Sequence, residues 1–70
     1  MSNLKRIRES KDLTQAKLAD LAKVSRRMVE YYEQGYHDIN KAEAFTVYKL
    51  AKALKCRMEA LLELESESED

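Results

Sequence analysis

Leu13–Gly35 reads LTQAKLADLAKVSRRMVEYYEQG, and this stretch decides the fold. Thr14 stands just before QAKLADLA, in which Leu18, Ala19, Leu21 and Ala22 recur at helical spacing. Ser25 stands in the same relation to RRMVEYYEQ, which carries Val29 and Tyr32 on one face. A hydroxyl at such a position caps a helix by accepting from a backbone N–H that has no partner in the first turn. Gly35 closes the second segment, as a residue free to take positive φ. The pattern predicts helices over roughly 15–22 and 26–34, with Lys23 and Val24 in a tight turn between them.

A turn that short cannot bring two helices antiparallel, so they cross steeply in a helix-turn-helix layout. The first turns of the second helix then stand out from the body. An isolated helix fits the major groove of B-DNA, where its N-terminal residues reach base edges. The outer face here offers Arg26, Arg27, Glu30, Tyr31 and Gln34. Arginine can bond guanine O6 and N7 together, worth about 1–3 kcal/mol of discrimination per good pair. Two arginines in a first turn oppose the helix macrodipole. A local cost of that kind is expected where function rather than folding selects the residues. Met28 has two readings, contact with a thymine methyl or closure of the core edge.

Working outward, Ser2 and the stripe Leu4, Ile7 predict a first helix over roughly 2–11, with Asp12 and Leu13 in the turn that follows. After Gly35, Tyr36–Lys41 reads as a loop. Ala44, Val47, Leu50, Ala51 and Leu54 predict a fourth helix over roughly 41–54. Lys55 and Cys56 make a turn. A short fifth helix, roughly 57–64, presents Met58, Leu61 and Leu62. The fold class is all-α, five short helices in one domain over 1–64. Residues 65–70 (ESESED) make an acidic tail, expected to be disordered.

Composition agrees with helix: no Pro, one Gly, and 37% charged residues. A 70-residue chain buries only about 60% of its unfolded surface, which suits a docking surface better than a cleft between lobes. Net charge is zero but unevenly spread. All 13 Lys and Arg fall within residues 1–58 beside seven acids, while residues 59–70 hold six acids and no base. A basic body with an acidic tail says more about partners than the sum does.

Cys56 is the single cysteine, so no internal disulfide forms, in keeping with a reducing compartment. It reads as a half-buried apolar residue. No apolar run is long enough to span a membrane, and the first ten residues lack the apolar stretch of a signal peptide. The expected location is cytoplasmic. His37 has no partners at ligand spacing, and no glycine-rich loop cradles phosphates. The expectation is a chain that is not an enzyme, with no catalytic residues, metal or cofactor.

The sequence resembles the Cro and xenobiotic-response-element (XRE) type helix-turn-helix proteins, also called lambda-repressor-like, over about residues 4–62. The resemblance rests on Leu4, Ile7, Arg8, Leu13-Thr14-Gln15, Leu18-Ala19, Val24-Ser25, Val29, Tyr32-Glu33, Gly35, Leu50–Leu54 and Leu61-Leu62, in order. It implies that Arg26, Arg27 and Tyr31 read bases. It implies that Gln15 touches a phosphate and braces the third helix; Thr14, Ser25 and Met28 are further candidates for phosphate or supporting contacts. Tyr36, His37 and Lys41 become candidate phosphate contacts, and Arg8 with Glu33 a partly buried ion pair. Three positions depart from the family pattern. Lys23 and Lys55 stand where glycine is usual, and Lys17 replaces the glutamate of a capping box. Each adds positive charge at some cost in stability.

Plainer readings stand beside these. Arg26 and Arg27 can be solvated surface arginines, Gln15 an exposed helix residue, and Arg8–Glu33 a loose surface pair worth under about 1 kcal/mol. Phe45 and Tyr48 lie off the inward stripe of the fourth helix, either under the loop or in an exposed interface patch. Specific operator binding usually needs two half-sites about one helical turn apart. The sequence therefore suggests a regulator that represses, or sometimes activates, from a palindromic operator as a homodimer on DNA, weakly dimeric when free, through Phe45, Tyr48, Met58 and Leu62 on the fourth and fifth helices. The alternative is an antitoxin-type or partner-binding module on the same fold. The acidic tail is read as a solubility tail or as a competitor for the basic face.

Overall fold

The structure, a computed structural model, describes residues 2–64; the acidic tail predicted at 65–70 lies outside the described residues. The elements are α1 (Asn3–Ser10), α2 (Gln15–Ala22), α3 (Arg26–Gln34), a 3-10 turn (Ile39–Lys41), α4 (Ala44–Leu54) and α5 (Met58–Leu61). No strand occurs among the described residues.

Local chemistry sets the helix starts. The hydroxyls of Ser2, Thr14 and Ser25 accept from the N–H groups of Lys5, Lys17 and Met28, each at 3.0 Å. One device ends α2, α3 and α4. Lys23, Gly35 and Lys55 take left-handed conformations, with φ of 60°, 84° and 57°. The next residue's N–H then reaches back five positions: Val24 to Ala19 O, Tyr36 to Tyr31 O and Cys56 to Ala51 O, at 3.0, 2.9 and 3.0 Å. This Schellman-type closure satisfies carbonyls that a helix end leaves open. Glycine adopts the conformation freely, whereas a lysine pays roughly 1 kcal/mol. Asp12, in the turn between α1 and α2, is also left-handed, with φ of 59°.

All five helices contribute to one core. Leu4, Leu18, Val29, Leu50, Leu54 and Leu61 are the largest fully buried side chains. Burying such a side chain is worth about 1.5–3 kcal/mol. That core packs α2 and α3 against each other and against α1 and α4, and so fixes how α3 is presented.

Several expectations are corrected. Leu21 and Ala44, inward by helical period, are exposed. α4 begins at Ala44 rather than near 41, because the Asp38 carboxylate accepts the Asn40 N–H and closes a separate 3-10 turn. Ala42 and Glu43 then run extended before the helix can start. The loop is pinned by Ile39, which is buried in the core. α5 stops at Leu61, and Leu62 turns extended. There the Asn40 side chain clasps both backbone groups of Glu63, at 2.8 and 3.0 Å. Asn3 bonds the Leu62 carbonyl at 2.8 Å and, through its N–H, the Glu63 carboxylate. These polar anchors replace the helical bonds that a longer α5 would make.

Candidate functional site

α3 is held in place by a polar network beneath it. The Glu33 carboxylate accepts from Arg8 Nε at 2.6 Å and Nη2 at 3.0 Å, and from Gln15 Nε2 at 2.9 Å. Arg8 Nη1 donates to the Leu13 carbonyl at 2.6 Å. One carboxylate thus ties α1, the start of α2 and the end of α3 together. The Glu33 side chain is 2% exposed and that of Arg8 9%. The hydrogen bonds that Arg8 donates to Glu33 raise its pKa above the ordinary arginine value; desolvation opposes them, and the Glu33 charge adds to them. Gln15 spends one amide N–H on Glu33, which leaves its second N–H able to meet an outside acceptor.

Beyond the Ser25 cap, Arg26 and Arg27 are exposed in the first turn of α3. Neither forms an ion pair among the described residues. No acid stands in the first turn of α2 or α3, so the positive ends of both helix dipoles are uncompensated by their own residues. Gln34 is exposed, while Met28, Glu30 and Tyr31 are half-buried. Thr14 and Ser25 face solvent with their hydroxyls committed to capping.

Tyr31 belongs to an aromatic cluster that the sequence did not reveal. Its ring meets Tyr36 edge-on at 5.5 Å and His37 at 5.1 Å, and His37 also meets Tyr32 at 5.9 Å. The Tyr31 carbonyl accepts the N–H groups of Tyr36 and His37. The outward tyrosine of α3 and the loop after Gly35 therefore form one continuous surface. Lys41 is exposed at the end of the 3-10 turn. Ile39 and Asn40, which position that loop, were missed as candidates. The available signal was a lone aliphatic residue inside a polar run, HDINK.

The four candidate dimer residues do not share one environment. Phe45 is 66% exposed and Tyr48 45%, with rings stacked 6.4 Å apart. Met58 packs against the core, and Leu62 is half-buried. Phe45 and Tyr48 share a groove with Leu21 instead.

Chemically, the arrangement offers hydrogen-bond donors and cations on the presented end of a helix, with aromatic edges beside them. It suits an anionic, edge-rich surface. Among the described residues no group of His, Cys, Asp and Glu is placed to hold a metal ion, and no helix is long and apolar enough to cross a membrane.

A family model described as helix-turn-helix matches residues 4–61. No curated protein matches the chain.

Proposed function

The chain belongs to this helix-turn-helix family, the Cro/C1-type, XRE-like group with a lambda-repressor-like fold, whose members are DNA-binding regulators; from that premise we propose that it recognises a specific operator and represses from it. Arg26 and Arg27 read base edges in the major groove. Tyr31 extends the reading surface toward the loop. Thr14, Gln15, Ser25 and Met28 settle α2 and the start of α3 on the duplex, with phosphate at the uncompensated helix N-termini. Tyr36, His37 and Lys41 follow the DNA backbone.

The observation that carries this reading is the pair of exposed arginines, without an ion pair among the described residues, on a helix braced from below by Arg8, Gln15 and Glu33. A braced helix holds its donors at fixed angles, which base readout needs and general charge attraction does not. The chain works without catalysis, in the cytoplasm, with residues 1–64 as its operating unit.

Two copies on a palindrome supply enough base contacts for specificity. Pairing of the free protein is weak. A two-fold contact through Phe45 and Tyr48 sets the lysines around them against their own copies.

Selection from a random duplex pool tests the proposal. The expected outcome is a palindromic motif with half-site centres about 10 base pairs apart. Failure to enrich any motif, even at low salt where phosphate contacts are strongest, overturns it.

A further inference from the structure

A groove on the described surface, lined by no residue of α3, lies between the end of α2 and the length of α4. Leu21, Phe45 and Tyr48 form its apolar floor, and it encloses about 450 Å³. Four lysines ring it: Lys23, Lys49, Lys52 and Lys55. Its lining includes no carboxylate and no residue of α3. None of the four lysines forms an ion pair among the described residues. Lys49 Nζ sits 4.9 Å from the Phe45 ring centre, and Lys52 Nζ 5.8 Å from that of Tyr48.

We propose that this groove docks an acidic amphipathic helix of another protein. The proposal stands apart from operator reading and does not depend on it. Charge and shape select the occupant. A second copy docked two-fold would meet this face with the same face, lysine against lysine. Duplex phosphates would satisfy the lysines but leave Leu21, Phe45 and Tyr48 facing a charged backbone. A helix with one aliphatic stripe flanked by Asp and Glu satisfies both parts. Its stripe fills the floor at i, i+3, i+4 and i+7, and its carboxylates meet the lysine ring. The span from Phe45 to Lys55 along α4 is about 15 Å, room for two to three turns of such a helix. The two cation–π contacts keep Lys49 and Lys52 beside the floor, so their charge faces whatever fills it.

The test is titration of the full isotopically labelled chain with a synthetic helical peptide carrying leucines on one face and glutamates on both flanks. Its control has Gln in place of Glu. Saturable amide shifts are expected at Leu21, Phe45, Tyr48 and the four lysines. The glutamine peptide is expected to bind at least about tenfold more weakly, and so is the acidic peptide to a Lys49→Glu, Lys52→Glu variant. A Phe45→Ala variant is expected to lose binding while keeping its helical circular dichroism. Equal binding of the two peptides overturns the proposal without any variant. So does a shift pattern centred elsewhere, self-association through the groove, or the same shifts produced by duplex DNA. Operator selection is read separately, so either reading can fail while the other holds.

Discussion

Glu33 receives Arg8 through two hydrogen bonds, Nε at 2.6 Å and Nη2 at 3.0 Å, across 25 residues of chain, with both side chains almost wholly removed from water. A pair in this setting behaves unlike a surface ion pair. Taking either charge from water is costly, so removing one partner leaves the other uncompensated. Glu33→Ala should cost about 3–5 kcal/mol in urea unfolding. An Arg8→Met, Glu33→Leu double variant should recover much of the loss, because two apolar groups leave no orphaned charge. A loss below about 1 kcal/mol for Glu33→Ala would mark the pair as a weak surface contact.

Lys23 and Lys55 occupy left-handed positions where glycine carries no steric penalty. Lys23→Gly and Lys55→Gly should each stabilise the fold by up to about 1 kcal/mol. In a domain this small that is a rise of roughly 4–8 °C in Tm. A fall in Tm for both would show that the lysine side chains contribute more than the backbone conformation costs.

The fold was largely legible in the sequence because its signals are local. Thr14 and Ser25 mark helix starts through their hydroxyls, and the Leu18, Val29, Leu50 and Leu54 stripes mark buried faces. The boundaries that escaped depend on long-range partners. Asn40 acts on Glu63 across 23 residues, and nothing near Glu63 in sequence announces that α5 has ended. Leu21 looks inward by period, yet α4 does not cover it. In the candidate site, the exposed arginines follow from the helix register, but the Tyr31, Tyr36 and His37 cluster needs the path of the loop after Gly35. That path is set by burial of Ile39, a tertiary event.

The Ile39 side chain is the loop's apolar anchor in the core. Ile39→Ala should cost about 2–5 kcal/mol, the range for deleting a buried aliphatic side chain. Amide exchange should rise most across residues 36–43. A loss under about 0.5 kcal/mol would show the loop to be held by its backbone bonds instead.

Burial pushes the Cys56 thiol pKa up, and Lys11 only partly offsets it. The folded chain therefore holds the thiol proton more tightly than the unfolded chain does. The associated stability is fully present below the unfolded pKa and is lost as pH rises through the folded one. Thiol–disulfide exchange at mildly alkaline pH should run slower in the folded chain than in urea, and Cys56→Ala should flatten the alkaline fall in stability. A folded thiol that reacts as fast as the unfolded one would contradict this.

Sequence reading by Arg26 and Arg27 is the central claim, and affinity for a selected duplex against a scrambled one measures it most directly. The comparison sets the intact protein beside an Arg26→Ala, Arg27→Ala variant at equal salt. The account predicts that the variant keeps its fold and its general affinity for DNA. Its discrimination should fall by about 1–3 kcal/mol for each arginine that pairs with a base. A variant that discriminates as well as the intact protein would contradict the account and return both arginines to the role of surface charge.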